Sequence, residues 1–281
     1  MAARKIFKYG SISMATAAAK SLNLKSSTAH RTRLIECWRP QNSRCAVDIV
    51  VARKEDAPNV RDFMMNETRF HEPVIGASKT SESDVKILFD GILERSIDSG
   101  LSLLMFKANS DKLIGIRMTS IVNLPQSRRQ LEDFQPLSDY KNVIDRQPSR
   151  SRKEQRILAL CDQVYPYAEK FVPKSVRQMV RQELVGIMEN YRLHSLATRF
   201  NHEMYKLAAN EGLQYVDVLC TGIASQRVCR KLGMRPKIVI PYDEFTDDHQ
   251  ICFSNTIDKS RVAIYMIGDL MSMGYNVHGL K

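Results

Sequence analysis

No run in this 281-residue chain approaches the roughly 18 consecutive apolar residues that span a bilayer, so no transmembrane helix is expected. Its six cysteines (Cys37, Cys45, Cys161, Cys220, Cys229, Cys252) contain no Cys-x-x-Cys pair and follow no leader with a long apolar core. That pattern excludes a zinc ribbon or a secreted disulfide framework, and predicts reduced thiols in an intracellular compartment. The six histidines (His30, His71, His194, His202, His249, His278) also lack ligand spacing, so no metal is expected. The first 35 residues carry no Asp or Glu at all.

That last absence decides how the net charge of +11 is read. Residues 1–45 hold nine Lys or Arg against one acid, Glu36, which leaves 33 basic and 30 acidic residues for the remainder. A nearly neutral body argues against nucleic acid as a partner. The leader, poor in acid and rich in Ala, Ser, Arg and Lys, has the composition of a mitochondrial transit peptide. A mitochondrial protein is therefore expected, with a disordered basic tail on a cytoplasmic protein as the alternative. On either reading residues 1–45 stand outside the fold and 46–281 form one domain, acting as a monomer.

Within that domain, Val47, Ile49, Val50 and Val51 predict a first strand, and Asp56 with Pro58 predicts a helix start. Val60, Phe63 and Met64 form the buried stripe of that helix, and Pro73 stops it. A second helix is expected over residues 81–99. LSLLMFKA and LIGIRMTSIV, joined by a polar turn at Asn109, read as an antiparallel hairpin. Residues 123–153 are polar, proline-bearing and without a period, which predicts a surface excursion with no chemistry. A helix over 154–171 follows, with Ile157, Cys161, Val164, Ala168 and Phe171 on its inner face.

Leu184 to Met188 then reads as a strand, Glu189 to His194 as a tight turn, and the chain from Ser195 as a helix. In that helix Leu196, Phe200, Met204 and Leu207 point inward, while Arg199, Glu203 and Lys206 are expected to face water. A strand at Tyr215–Cys220 and a helix at Ser225–Leu232 come next. Strand, helix, strand is a crossover unit, so its two strands are parallel. The last two strand patterns, KIVIPYDEF and RVAIYMIGDL, have no helix between them and pair antiparallel. The fold class is α/β (α+β), a mixed and mostly antiparallel sheet with one parallel pair, flanked by helices.

A turn that runs straight into a helix aims unpaired N–H groups and the positive end of the helix dipole at one point, which suits a pyrophosphate. Here that turn carries Arg192-Leu-His-Ser195-Leu-Ala197. The run resembles the acyl-CoA pyrophosphate loop of the GNAT superfamily of N-acetyltransferases: Arg or Gln, two residues, Gly, one residue, then Gly or Ala. Ser195 replaces the glycine, a change that is tolerable if φ stays negative there. CTGIASQRVCRKLGMRPKIVIPYDEF resembles the last helix and following strand of insect arylalkylamine N-acetyltransferases, at Cys220, Ser225, Arg227, Val228 and Lys231-Leu232-Gly233-Met234. His71-Glu72-Pro73 is similar to the Asp-Glu-Pro that follows the first helix of those enzymes.

The resemblance implies the GNAT fold from about Val47 to Leu270, with acetyl-CoA as cosubstrate and a small amine, favoured to be an arylalkylamine, as acceptor. It assigns Glu72 as general base and Ser225 a catalytic role, the latter competing with a plain helix N-cap reading. Arg192 would open the cofactor cradle, and the N–H groups of Leu193, His194, Ser195, Leu196, Ala197 and Thr198 would hold the phosphates. An N–H near Ile187 or Met188 is the expected donor to the tetrahedral oxyanion. Cys229 stands where many acetyltransferases have a tyrosine and reads as a packing residue; Gly222 stands where the insect enzymes have a second serine. The alternatives are a catalytically silent acyl-CoA binding module and an acetyltransferase for polyamines or protein lysine.

Overall fold

The computed structural model describes residues 32–40, 45–128, 130–192 and 195–278. Eight strands form one sheet: β1 (Arg33–Trp38), β2 (Val47–Val51), β3 (Leu103–Lys107), β4 (Leu113–Asn123), β5 (Gln178–Ile187), β6 (Tyr215–Cys220), β7 (Arg235–Pro241) and β10 (Val262–Asp269). Their order is β1-β2-β3-β4-β5-β6-β10-β7, and β8 (Thr246–Asp247) with β9 (Gln250–Ile251) makes a separate short hairpin. Every pair in the large sheet is antiparallel except β5·β6. The parallel pair expected from the crossover is present, and β10 inserts between β6 and β7.

One face of the sheet packs α1 (Ala57–Phe63), α2 (Arg69–His71), α3 (Pro73–Ala77), α4 (Lys86–Ser96), α5 (Lys141–Ile144), α6 (Arg152–Val164) and α7 (Ala168–Phe171) around a core that includes Phe63, Phe89, Ile116 and Tyr265. The other packs α8 (Leu196–Asn210) and α9 (Ile223–Lys231) over Ile49, Leu103, Met204 and Met266. The single helix expected over 154–171 is broken at Tyr165–Tyr167, where Pro166 cannot continue the hydrogen-bond ladder.

Two expectations about what lies outside the core need correction. Arg33–Trp38 belongs to the fold: β1 pairs antiparallel with β2, and the Asp48 carboxylate accepts from the Cys37 N–H at 2.7 Å. The Arg199 guanidinium lies 5.4 Å from the centre of the Trp38 ring, and Glu203, expected in water, is only 7% exposed. It stays ionically paired, to Arg199 at 3.0 Å and Lys206 at 3.5 Å. The expected transit or tail role of residues 1–31 falls outside the described residues. The second correction concerns the excursion. It is mostly exposed up to Asp139, but Tyr140 and Ile144 are fully buried, and the Tyr140 ring stacks on Phe245 at 4.1 Å.

The feature that creates a site is the end of the parallel pairing. Val180, Arg181 and Gln182 pair with Val216, Asp217 and Val218, and the ladder goes no further. On the other side of β5, Thr119 pairs with Gln182 but Met118 pairs with Leu184, so Glu183 is an extra residue and β5 carries a bulge. A bulge bends its strand and sharpens its twist, which turns β5 away from β6 at that point. Charge at an otherwise apolar strand position holds the bulge in place. The Glu183 side chain is 4% exposed and receives two bonds from Arg95, both 3.1 Å, and one from Ser120 at 2.7 Å. Below the bulge the pair is stapled shut by the buried Arg181–Asp217 ion pair at 2.6 Å.

Candidate active site

Past the bulge, the two sides of the gap differ in what they offer. The Met188 N–H donates to Ile114 O at 2.9 Å, so it is already used. Antiparallel ladders alternate, which directs the N–H of Ile187 to the opposite side, toward β6. The Arg192 Nε–H donates to Ile187 O at 3.0 Å and ties the turn to the strand end. Of the two N–H groups expected near the oxyanion, that of Met188 is engaged by β4 and that of Ile187 is turned away from β4.

Leu193 and His194 lie outside the described residues. Ser195 follows them with φ 58° and ψ 16°, in the left-handed region rather than at the negative φ anticipated. The serine thus takes the conformation that a glycine would adopt freely, at a cost on the order of 1–2 kcal/mol. Ser195→Gly is expected to stabilise the protein by roughly 0.5–1 kcal/mol, the released strain less the extra entropy of the unfolded glycine, as read by denaturant unfolding. The first bond of α8 is Arg199 N–H to Ser195 O at 3.0 Å. The N–H groups of Leu196, Ala197 and Thr198 precede it and have no acceptor within the helix. The Leu196 side chain is buried in the core, so only its backbone is available.

Across the gap stands Glu72. Residues Met64–Thr68 form a π-helical turn between α1 and α2, the kind of bulge that re-aims the next stretch of helix. Gly186 of β5 packs against this turn: an added Cβ would lie 2.8 Å from Thr68 Oγ1 and 2.9 Å from the Phe63 ring. Glu72 then breaks the helix in an extended conformation and caps α3, its Oε2 accepting from Ile75 N–H at 2.7 Å. Its Oε1 accepts from the hydroxyl of Thr221, the first residue after β6. Next to it, the His71 ring lies 3.6 Å from Glu189, linking this corner to the turn after β5.

Sequence reading missed Thr221, Asp258 and Tyr242, all brought in by long-range packing. The Thr221 carbonyl accepts from Tyr242 OH at 2.6 Å and from Ser260 Oγ at 3.0 Å. Asp258 Oδ2 accepts from Ile223 N–H at 2.6 Å, so a carboxylate from a distant loop caps α9. That arrangement explains Gly222, where an added Cβ would lie 2.6 Å from Pro73 Cγ and 2.7 Å from Asp258 Oδ2. No space exists for a serine there. Ser225 is not the N-cap, which is Gly222; its hydroxyl donates to Gly222 O at 2.8 Å from the first turn of α9.

Burial pushes the Glu72 carboxyl above its usual range; the Thr221 hydroxyl and the Ile75 N–H oppose that rise, and nearby Asp258 adds to it. Removing the Thr221 donor destabilises the carboxylate form and raises the pKa further. For Thr221→Val, the acidic limb of kcat/KM is expected to move to higher pH, with a several-fold loss of rate near neutrality that alkaline pH restores.

On the α8 side of the gap lies a further residue that carries a charge. Arg117 of β4 is 2% exposed, pairs with Val185 across the β4·β5 ladder, and has no hydrogen-bond partner for Nε or Nη2 among the described residues. Its charge acts on Tyr205 of α8, Cys229 of α9 and Cys220 at the tip of β6.

No protein-family model and no curated sequence matches the chain. Solved structures do match it in fold. A yellow fever mosquito (Aedes aegypti) protein classed as arylalkylamine N-acetyltransferase 7 superposes with a TM-score of 0.65 at 16% identity, covering 85% of this chain and 99% of its own. Arylalkylamine N-acetyltransferase 2 of Aedes aegypti gives 0.64 at 16% identity over 80% and 99%. The polyamine N-acetyltransferase of Drosophila melanogaster gives 0.58 at 13% identity over 79% and 99%. The chain therefore has the GNAT fold, with the mixed sheet and single parallel pair of those neighbours.

Proposed function

We propose that this protein is an acetyl-CoA-dependent N-acetyltransferase that acts on a primary amine. The observation that carries the reading is the gap itself. A bulge at Glu183 opens β5 from β6, the Ile187 N–H points into the opening, and the half-buried Glu72 faces it from the other side. The cosubstrate fits what the gap presents. The first-turn N–H groups of α8 suit its pyrophosphate and the gap between the strands suits its pantetheine arm.

Chemistry follows from charge. An alkylamine is protonated at neutral pH and must lose that proton before it attacks a thioester. Glu72 takes the proton, helped by a pKa that burial has raised. The amine nitrogen bonds to the carbonyl carbon, the oxyanion is met by the Ile187 N–H, and the C–S bond then breaks. As the intermediate collapses the nitrogen gives up a second proton, and Ser225 is the proposed relay that passes a proton to the departing thiolate and takes this one in its place, so that the amide and the free thiol form together. Hydroxyl groups at Ser225 and Thr221 thus sit on the leaving-group and base sides of the reaction.

An arylalkylamine is the favoured acceptor, supported by exposed apolar side chains near the Glu72 corner: Phe70, two residues before it, and Ile257, which lies against Gly76 of the helix that Glu72 caps. A polyamine is the second reading, because Asp258 brings a second acid to the Glu72 corner from a distant loop. Full-length protein with acetyl-CoA and a panel of arylalkylamines, polyamines and a histone-tail peptide, followed by free thiol, tests this. Tight binding of acetyl-CoA with no thiol release on any acceptor would make the protein a silent acyl-CoA binder. A mitochondrial address is proposed for the leader, and a diffuse cytosolic signal from residues 1–45 fused to a fluorescent reporter would reject it.

A further inference from the structure

A guanidinium does not deprotonate inside a protein, and burying one without an anion costs several kcal/mol. Among the described residues Arg117 has no such partner. Burial pushes its pKa down, which states the same cost. The neighbours that act on it do not supply the missing charge: burial keeps the Tyr205 phenol neutral, and the Cys229 hydrogen bond together with burial keeps Cys220 a thiol. Only Cys229 is pulled down, and first by its bond with Cys220 rather than by Arg117.

Two details say what the missing anion is. The unpartnered donors are Nε and Nη2, which share one edge of the guanidinium plane. That edge is a fork for the two oxygens of a carboxylate, the geometry that makes Arg–carboxylate recognition bidentate. The second detail is position. Arg117 lies opposite Val185, two residues nearer the vertex of the gap than Ile187, and acts electrostatically on Cys220 of β6, beyond β5. Along β5 those two residues span about 7 Å, which is of the order of a succinyl or glutaryl chain with one charge-assisted hydrogen bond.

Resting on the acyl-transfer reading above, we propose that Arg117 is a carboxylate-recognition residue in the acyl subsite, which extends the donors to dicarboxylic acyl thioesters of succinyl or glutaryl length. With the thioester carbonyl at the Ile187 N–H, the acyl tail runs toward the vertex and its terminal carboxylate meets Nε and Nη2 of Arg117. In transfer, the acyl C–S bond breaks and a C–N bond to the amine forms. One amine proton leaves through Glu72, coenzyme A departs as the thiol, and the terminal carboxylate is unchanged.

The test compares succinyl-CoA with butyryl-CoA, a neutral donor of the same length, on the full chain. Calorimetric binding needs no acceptor, so it reads the subsite separately from catalysis. Wild-type protein is expected to bind succinyl-CoA about tenfold more tightly, the equivalent of one charge-assisted bond. Arg117→Met is expected to abolish that preference while changing butyryl-CoA binding less than about threefold, and to raise the thermal midpoint of the ligand-free protein by removing an unpaired charge. Arg117→Lys, which keeps the charge without the fork, is expected to retain only part of the preference.

Equal binding of the two esters by wild type overturns the proposal, even if acetyl transfer is observed. So does a uniform loss of both esters in Arg117→Met, or an effect confined to the alkylation rate of Cys229, which would make Arg117 a partner of that thiol. Conversely, a succinyl preference that depends on Arg117, found without any amine acetylation, keeps the subsite and removes the transferase reading.

Discussion

Glu72→Gln is expected to lower kcat by about 10²–10³ near neutral pH while leaving the affinity for acetyl-CoA unchanged. The fold should survive, because the amide fits the same contacts. Its oxygen accepts from the Ile75 N–H, and its NH2 donates to the Thr221 hydroxyl, which rotates to accept. What disappears is the base. The deficit should shrink toward alkaline pH, where the amine deprotonates without help, so a pH series separates loss of the base from general damage. A deficit that stays constant up to the pKa of the acceptor would remove Glu72 from the proton-transfer step.

Asp217→Asn is expected to destabilise the protein by about 3–5 kcal/mol, a fall in thermal midpoint of roughly 10 °C. Asp217 is fully buried and accepts from Arg181 through Nε at 3.1 Å and Nη2 at 2.6 Å, and from the Tyr265 hydroxyl at 2.8 Å. Removing its charge leaves the Arg181 guanidinium enclosed beneath the Tyr165 ring, 3.7 Å away, with no anion. The loss falls on the three-residue parallel pairing that keeps β5 and β6 closed below the gap. Scanning calorimetry checks the magnitude. Replacing both partners with apolar residues of similar size is expected to recover most of the stability, because the cost arises from the orphaned charge rather than from the missing bond.

The elements legible from the residues alone are those whose burial imposes a period. The stripe of Leu196, Phe200 and Met204 marks α8, and all three side chains are buried. The crossover between β5 and β6 implies their parallel pairing, and Glu72-Pro73 marks a helix break through proline's effect on its neighbour. Where the reading failed, the determinant was a contact far away in the chain. Arg33–Trp38 looked like leader because its charge resembles that of the residues before it, yet hydrogen bonding to β2 makes it a strand. Glu203 read as solvent-facing because periodicity reports helix faces and is silent on what another strand brings over them.

By itself, then, the sequence determined the order and type of most elements, the helix that begins at the turn after β5, and the identity of the proposed base. These come from local rules: period, caps, proline and charge. The tertiary structure alone decided that Glu183 bulges β5 away from β6, that Ser195 sits at positive φ, and that Ile187 rather than Met188 directs its N–H into the gap. It also decided that Thr221 and Asp258 meet at the Glu72 corner, and that Nε and Nη2 of Arg117 are buried with no hydrogen-bond partner among the described residues. Strand register, backbone direction and the pairing of buried charges depend on residues tens of positions apart. No local pattern encodes them, and the chemistry proposed for the gap depends on them.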